Sequence, residues 1–401
     1  MILSTSIEIV GIVLTVRYFN DIILINIKIM DTKIIATIGP SSSSDKTLEF
    51  FATHGVEYAR LNFSHGTSDW HKETAALCRK HGLKVLFDLA GPKILLGELH
   101  HTIEIARGNT IILEYAENEQ VYPYPKYDKG RETMVLPCQF HIDQFVSKDA
   151  AIYIDDGKIK LSVTQIKDKK VYCEIINGGI VKSNKGINIP GSDPDLDFIV
   201  DRDRRLLADL FADVKPDMIA VSFVRYKDDL IVIEEYLKEL LRVHGVTDYY
   251  PLICSKIEQQ QAVSGKYFKG ILEKSDVIMI ARGDLALETE PVHLMVPFYQ
   301  KQLIDICKSN RTPVIVATQM LESMMSSQVP TRAEVSDLYR AVVVDKADYV
   351  MCSGETAAGQ FPHEVIQLMH DMAKNHQDME KSVNSDLGAL SPLKIHFAQK
   401  K

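Results

Sequence analysis

The stretch SKIEQQQAVSGKYFKGILEKSDVIMIARGDLALE, residues 255–288, decides both the fold and the chemistry of this chain. Lys256 and Glu258 follow one apolar run, and Asp284 follows the next. If the two runs are neighbouring parallel strands, the ammonium group and both carboxylates converge at one edge of the sheet. Two close carboxylates repel unless a cation lies between them, and their oxygens suit Mg²⁺ or Mn²⁺. The stretch predicts a metal-assisted site where negative charge develops on a phosphoryl group or an enolate oxygen.

Each of these three side chains, taken alone, is equally consistent with a solvated residue at a strand end. The pattern of the rest of the chain decides between that interpretation and a shared site. Eight short apolar runs alternate with stretches of helical period, and their near-continuous Ile, Val and Ala content is typical of buried parallel strands. The runs are Lys33–Ile38, Val56–Asn62, Leu83–Leu89, Met218–Phe223, Pro251–Ser255, Asp276–Ala281, Pro313–Thr318 and Asp348–Cys352. This alternation predicts an α/β fold, a (β/α)₈ TIM barrel.

The connection between the third and fourth predicted strands is too long for a single structureless loop. Short β-like runs separated by Gly, Asn and Asp turns fill residues 97–179, which predicts an inserted β-barrel lid domain. The TIM barrel is then expected over residues 30–96 and 180–374. Charged residues interrupt the apolar residues 1–29, which we expect to be an extension outside the fold. The polar residues 375–401 are expected to form a flexible tail.

Composition excludes several classes of function. A net charge of −8 argues against nonspecific nucleic-acid binding. Six cysteines without CxxC spacing indicate reduced thiols and neither a disulfide framework nor a zinc site. The longest uncharged run near the start, Ile9–Val16, is too short to span a membrane, and no basic segment of a signal peptide precedes it. We therefore expect a cytoplasmic protein without membrane or nucleic-acid partners.

Chemistry in such barrels gathers at the carboxyl ends of the strands. Almost every predicted strand ends in polar or Gly-rich residues, a regularity that favours one shared site. The ends are IGPSS (38–42), ARLNFSHG (59–66), FDLAGPK (87–93), SFVR (222–225), SKIE (255–258), ARGD (281–284), ATQMLESM (317–324) and CSGET (352–356).

These motifs, with KGINIPG (185–191) and PTRAEVSD (330–337), resemble the pyruvate kinase family in order and spacing over residues 31–374. The resemblance implies a glycolytic phosphotransferase that moves the phosphoryl group of phosphoenolpyruvate to ADP and yields pyruvate and ATP. It also implies a barrel with an inserted β domain. The family's C-terminal α/β domain, which supplies subunit contacts, has no counterpart in the sequence given, so the oligomeric state stays open.

The resemblance also implies residue roles. Arg60 should hold the phosphoryl group, Lys256 should stabilise that group and the enolate, and Thr318 should relay a proton. The turn Asp155–Gly157 should belong to the closing lid. The implied sets are Arg60, Ser222, Gly283, Asp284 and Thr318 for substrate, Glu258 and Asp284 for Mg²⁺ or Mn²⁺, and Asn62, Ser64, His65 and Lys185 for ADP or ATP.

Two departures from the family pattern carry expectations of their own. Of the family's potassium site Asn62, Ser64 and Asp88 remain, but Leu89 stands where the family has Thr. Lys93 replaces a family Glu, a pairing similar to the potassium-independent subgroup, in which an ammonium replaces the ion. The resemblance therefore implies that K⁺ is not required.

The second departure is Leu95, which replaces an arginine that reaches the transferring phosphate in the family. This replacement predicts a kinase of low activity.

Two alternatives to an active kinase stay open. One is a catalytically weak or inactive paralogue that binds phosphoenolpyruvate or nucleotide in a regulatory role. The other is a metal-dependent 2-oxo-acid lyase on a similar barrel.

Several residues also have a purely structural interpretation. The alternatives are a helix cap for His65, a solvated loop lysine for Lys185, structural roles for Ser222 and Arg225, a loop tie for Glu355, and packing for Met320, Met324 and Met325.

Overall fold

The computed structural model describes residues 11–18, 21–28, 32–116, 126–127, 133–194 and 196–387. Eight parallel strands close into a barrel, which confirms the predicted fold class. Barrel strands one to eight are Lys33–Thr37, Val56–Asn62, Lys84–Asp88, Met218–Val221, Leu252–Ile257, Val277–Ala281, Val314–Ala317 and Tyr349–Cys352. Strand eight pairs with strand one, with Met351 opposite Ile35, and this pairing closes the ring.

Burial on both faces explains the near-continuous apolar runs. Alternate residues of a strand point to opposite sides, so Ile35 and Met279 belong to the cluster inside the barrel. Ile34, Ala36 and Ile278 belong to the larger cluster between the strands and the surrounding helices. Both faces of each strand therefore require apolar side chains, and polar residues collect at the strand ends.

Helices follow the barrel strands along the chain. They are Asp45–Thr53, Ser68–Lys80, Asp201–Val214, Lys227–Val243, Gly265–Lys274, Arg282–Glu288, Val296–Ser309, Arg332–Tyr339, Gly354–Ala357 and Pro362–Leu387. Within the described part of the chain, no helix is long and apolar enough to cross a membrane.

The chain between barrel strands three and four forms a separate β domain with its own core, which includes Leu113, Leu136 and Leu161. Its strands are Ile103–Ile105, Thr110–Tyr115, Lys126–Tyr127, Met134–Cys138, Ala151–Ile154, Ile159–Lys167, Lys170–Asn177, Gly179–Val181 and Ile187–Asn188. Seven of them share one sheet, and the first pairs with the eighth in a second sheet. Leu96 bridges to Cys138 and Leu95 bridges to Gly186, so this short segment lies between strand Met134–Cys138 and the segment that leads into strand Ile187–Asn188.

The last strand of this lid domain lies beyond the predicted boundary at residue 179. Strand Ile187–Asn188 pairs antiparallel with Ala151–Ile154, and Asn188 lies opposite Tyr153. The chain returns to the barrel only after this last pairing. As a result, KGINIPG belongs partly to the lid and lies at its junction with the barrel.

Regular structure also precedes and follows the barrel in the described residues. Strands Gly11–Tyr18 and Asp21–Lys28 pair in a two-stranded sheet of their own. The final helix continues to Leu387, so residues 375–387 do not form the expected tail. No Gly or Pro follows Pro362 before Gly388, so no strong helix breaker interrupts this segment. Residues 388–401 lie outside the described residues.

Candidate active site

The ammonium group of Lys256 lies at the carboxyl end of barrel strand five, among three oxygen atoms. Its Nζ is 2.7 Å from Ser222 Oγ, 3.1 Å from Asp88 Oδ1 and 3.0 Å from Glu258 Oε1. Burial opposes the charge, but Asp88 and Glu258 outweigh burial and raise the pKa of Lys256 above its usual value. The side chain is only 11% exposed, so this cation is fixed in place.

Asp88 joins this ammonium to a second cation, the guanidinium of Arg60. Arg60 Nε lies 2.6 Å from Asp88 Oδ2, and its Nη1 donates to Thr37 Oγ1 at 2.9 Å. Burial acts to raise the pKa of Asp88, yet Arg60 and Lys256 hold it below its usual value. Asp88 is therefore an ionised anchor that keeps both cations at the mouth of the barrel.

Glu258 and Asp284 form the predicted carboxylate pair. Glu258 Oε2 accepts a hydrogen bond from the Phe223 N–H at 2.7 Å. Asp284 lies in the first turn of helix Arg282–Glu288, and its Oδ1 is 2.9 Å from Lys93 Nζ. Burial and the charge of Asp284 raise the pKa of Glu258 against the effect of Lys256. Burial acts to raise the pKa of Asp284 too, but Lys93 holds it low.

This donor set fits a divalent metal ion. A cation between Glu258 and Asp284 would relieve the repulsion that raises the pKa of Glu258. Within the described residues no group of three or more His, Cys, Asp or Glu side chains forms a metal cluster. Mg²⁺ is commonly bound by one or two carboxylates together with substrate oxygens and waters, so two protein ligands are sufficient.

Thr318 and Gly283 face each other beside this pair. Thr318 Oγ1 accepts a hydrogen bond from the Gly283 N–H at 2.8 Å. Thr318 and Gln319 have φ of 69° and 52°, a left-handed conformation that is strained for a β-branched residue. Arg282, which the sequence analysis missed, donates to the carbonyl oxygens of Thr318 at 2.7 Å and Gln319 at 3.2 Å. Arg282 thereby stabilises the strained turn that presents the Thr318 hydroxyl.

Three of the predicted nucleotide residues, Asn62, Ser64 and His65, lie at the carboxyl end of barrel strand two. Ser64 and His65 are exposed, and Asn62 Oδ1 accepts the Ser64 N–H at 3.0 Å. The following helix is capped by Thr67, whose side chain accepts from Trp70 N. The structural interpretation of His65 as the helix cap is therefore wrong.

Lys185 belongs to the lid side of the cleft. Its Nζ lies 2.7 Å from Asp155 Oδ1 in the turn Asp155–Gly157, so it is an ion-paired lysine and not a freely solvated one. A Cβ atom on Gly157 would lie 2.7 Å from Leu287 Cδ2. This lid turn consequently packs directly against the helix that carries Asp284.

Other residues with a structural interpretation have partners within the protein. Glu355 accepts hydrogen bonds from the backbone of Leu321 and Ser353, which ties two loops together. Arg225 pairs with Asp193 and Asp229. Met320 and Met324 are buried in the cluster between the strands and the surrounding helices, and Met325 is half-buried. Ser222 combines both interpretations, since its Oγ donates to Leu89 O at 2.7 Å and also accepts from Lys256.

The two departures from the family pattern take different positions. The Lys93 ammonium lies against Asp284, where it compensates the charge of a carboxylate of the predicted metal site. Leu95 is half-buried at the junction with the lid, where its backbone bridges to Gly186 and its carbonyl oxygen accepts from Gln139 N at 3.0 Å.

A third carboxylate and an amide, neither of them predicted from the sequence, complete the site. Asn188 Nδ2 donates to Asp284 Oδ1 at 3.2 Å and to Glu288 Oε1 at 2.9 Å. Burial and the nearby charges of Asp284 and Glu258 raise the pKa of Glu288 to about 7, although Asn188 acts to lower it. The four-residue spacing in ARGDLALE, which places Asp284 and Glu288 on one helix face, was the available signal.

Comparison with known proteins gives the same family as the sequence motifs. The family profile "Pyruvate kinase, barrel domain" matches residues 29–366. The chain belongs to the pyruvate kinase family. It is 38% identical to a pyruvate kinase of Agrobacterium vitis over 84% of this chain and 67% of that protein. It is 36% identical to one of Thermococcus litoralis over 88% of this chain and 71% of that protein.

A solved structure agrees with these sequence matches. The crystal structure of a pyruvate kinase from Cryptosporidium parvum superimposes with a TM-score of 0.78 at 30% identity, covering 91% of this chain and 73% of that one. The predicted resemblance to pyruvate kinase is thus confirmed, and so is the predicted enzyme class, a kinase among the transferases.

Proposed function

We propose that this enzyme transfers the phosphoryl group of phosphoenolpyruvate to ADP and releases pyruvate and ATP, as a cytoplasmic step of glycolysis. The observation that carries this proposal is the pair of fixed cations, Arg60 and Lys256, that share Asp88 beside the carboxylates Glu258 and Asp284. Cations and carboxylates at one strand edge suit a substrate that carries both a phosphate and a carboxylate.

Arg60 and Lys256 are proposed to bind and orient the phosphoryl group. A guanidinium presents several N–H donors in a plane that matches phosphate oxygens. Lys256 offers a compact charge that stays protonated because two carboxylates flank it. Both cations are preorganised by Asp88, so little reorganisation is needed when negative charge moves from the phosphoryl group towards the enolate oxygen.

Glu258 and Asp284 are proposed to hold Mg²⁺ or Mn²⁺, which when bound would neutralise charge on phosphoryl and enolate oxygens. The Gly283 backbone and the Thr318 hydroxyl are proposed to hold the substrate carboxylate. Thr318 is also proposed to deliver the proton that converts the enolate to pyruvate. Its strained turn, held by Arg282, supports such an assignment because strain of this kind clusters at active sites.

The rim residues Asn62, Ser64, His65 and Lys185 are proposed to contact ADP or ATP. Ser64 and His65 are exposed and the other two are half-buried, which supports the approach of a large and partly solvated ligand. Closure of the lid over the nucleotide would exclude water and so limit transfer of the phosphoryl group to solvent.

We propose that the reaction does not require K⁺, because Lys93 provides an internal positive charge beside Asp284. We propose no nucleic-acid or membrane partner.

The test measures pyruvate formation from phosphoenolpyruvate, ADP and Mg²⁺ in a coupled assay, with Asp284→Ala and EDTA as the two controls. We expect turnover that both controls abolish. Full turnover in EDTA would remove the metal assignment. Tight phosphoenolpyruvate binding by calorimetry without pyruvate formation would favour the regulatory paralogue, which Leu95 keeps as the second candidate.

A further inference from the structure

Asn188 is a buried amide at the junction of the lid and the barrel, and only 3% of its surface is exposed. Its backbone belongs to the lid, because strand Ile187–Asn188 pairs with Ala151–Ile154. Its side chain belongs to the barrel site, because Nδ2 donates one hydrogen bond to Asp284 and one to Glu288. One side chain thus connects the last lid strand with the helix that carries a carboxylate of the site.

Both acceptors lie on helix Arg282–Glu288, one turn apart. The two hydrogens of the Asn188 amide are therefore both used, and the amide is fixed between two carboxylates. Glu288 is 5% exposed and lies in the same helix turn that packs against Gly157 of the lid. A buried carboxylate without a hydrogen-bond donor would be costly, so the hydrogen bond from Asn188 stabilises Glu288. The same hydrogen bond fixes the amide, which makes Glu288 its second anchor.

We propose that Asn188 is a positioning residue that locks the Asp284 carboxylate in its metal-binding orientation and couples that orientation to the lid. This inference rests on the proposed role of Asp284 as a metal ligand. Residues that hydrogen-bond to metal ligands orient them, and their loss commonly weakens metal binding by about 10- to 100-fold. Metal binding to Asp284 should then also stabilise the lid strand that contains Asn188.

The test measures Mn²⁺ binding to the full chain by electron paramagnetic resonance, without phosphoenolpyruvate or ADP. We expect Asn188→Ala to bind Mn²⁺ about 10- to 100-fold more weakly than wild type. The matched control is Asn109→Ala, which removes an exposed lid asparagine and should bind Mn²⁺ like wild type. Binding by Asn188→Ala within about twofold of wild type would overturn the proposal, because the lost orientation would then have no effect.

A second pair of variants tests the anchor even if Asn188→Ala fails to fold. Glu288→Gln and Glu288→Ala both lose the charge, but only the glutamine keeps an oxygen that accepts from Asn188. We expect Glu288→Ala to bind Mn²⁺ more weakly than Glu288→Gln, and equal binding by the two would contradict the proposal.

Hydrogen exchange gives a readout of the coupling itself. In wild type, Mn²⁺ should slow backbone exchange in residues 151–154 and 187–188, and in Asn188→Ala this slowing should disappear. Equal slowing in both proteins would refute the coupling. A wild-type chain that binds no Mn²⁺ would instead refute the metal assignment on which the proposal rests, which separates the two failures.

Discussion

Replacement of Lys256 by methionine removes the central cation while keeping most of the side-chain volume. Asp88 would keep its ion pair with Arg60 at 2.6 Å, whereas Glu258 would keep only the hydrogen bond from Phe223 N–H at 2.7 Å. Removal of one partner of a buried ion pair costs about 3–5 kcal/mol. Because one of the two carboxylates stays paired, we expect Lys256→Met to lower the free energy of unfolding by about 3 kcal/mol at pH 8.

The loss should depend on pH in a defined direction. Burial and Asp284 already raise the pKa of Glu258 above its usual value, and removal of Lys256 should raise it further. The folded variant would then bind a proton more tightly than the unfolded chain. The free energy of unfolding of the variant is therefore highest at low pH and falls as pH rises through the pKa of Glu258 in the folded state. The difference between wild type and Lys256→Met should therefore be larger at pH 8 than at pH 6.

Urea unfolding followed by circular dichroism measures this difference, and a coupled pyruvate assay measures turnover. Loss of a preorganised charge at a transition state commonly costs about 100- to 1,000-fold in kcat. The double variant Lys256→Met/Glu258→Gln removes the uncompensated carboxylate, so it should regain stability without regaining activity. The control Lys238→Met removes a lysine that is 64% exposed and should change stability by less than about 0.5 kcal/mol.

Two results would refute this reasoning. The first is Lys256→Met unfolding at the wild-type urea concentration at both pH values, because the ammonium would then not compensate Glu258. The second is a kcat within a few-fold of wild type, because Lys256 would then not stabilise the transferring group.

Four further predictions follow from the same site. Gly283→Ala should fold with at least wild-type stability, because the added Cβ would lie 3.5 Å from Thr318, an ordinary contact distance. Calorimetry should nevertheless show weaker phosphoenolpyruvate binding, and unchanged affinity would contradict a close approach of the substrate to Gly283. The pKa of Glu288 is raised to about 7, so wild type should lose stability in metal-free buffer as this buried side chain becomes an anion. Glu288→Gln should therefore gain up to about 3 kcal/mol of stability relative to wild type between pH 4.5 and a pH above 7. Urea unfolding that gives parallel stability profiles for the two proteins would contradict this pKa. Replacement of K⁺ by a large organic cation should change kcat little, and a loss of more than about tenfold would show that Lys93 does not provide the required charge. Leu95→Arg should raise kcat by about tenfold or more with a smaller effect on phosphoenolpyruvate affinity, and ordinary wild-type rates with no gain would show that another basic residue already serves.

The sequence was sufficient to predict the barrel because its signal is repeated eight times. Each strand is apolar on both faces, and a short apolar run such as Val277–Ala281 is typical of a buried strand in a parallel sheet. The convergence of Lys256, Glu258 and Asp284 followed from strand direction alone, since strands five and six are parallel neighbours with Lys256 opposite Met279. When strands and helices alternate along the chain, consecutive strands are expected to be parallel neighbours.

Contacts between segments far apart in the chain are not encoded in that way. Lys93 was expected to supply an internal positive charge, but its partner, Asp284, lies 191 residues further along and was not predicted. Asn188 reaches the same carboxylate from the lid, and Arg282 reaches the carbonyl oxygens of a loop 36 residues away. Each of these contacts depends on how two separately predicted parts dock, and no local period specifies docking.

The missed residues lie in or next to quoted motifs, but they share a physical role that a motif does not specify. Arg282, Asn188 and Glu288 are buried polar groups whose partners are other polar groups of the site. A buried polar side chain is tolerated only when its partners are in place, so its function lies in the geometry of those partners. Lys256 was detectable because its position at a strand end suggests contact with substrate. Asn188 is detectable only after the lid and the barrel have been assembled, because the amide has no role until both carboxylates surround it.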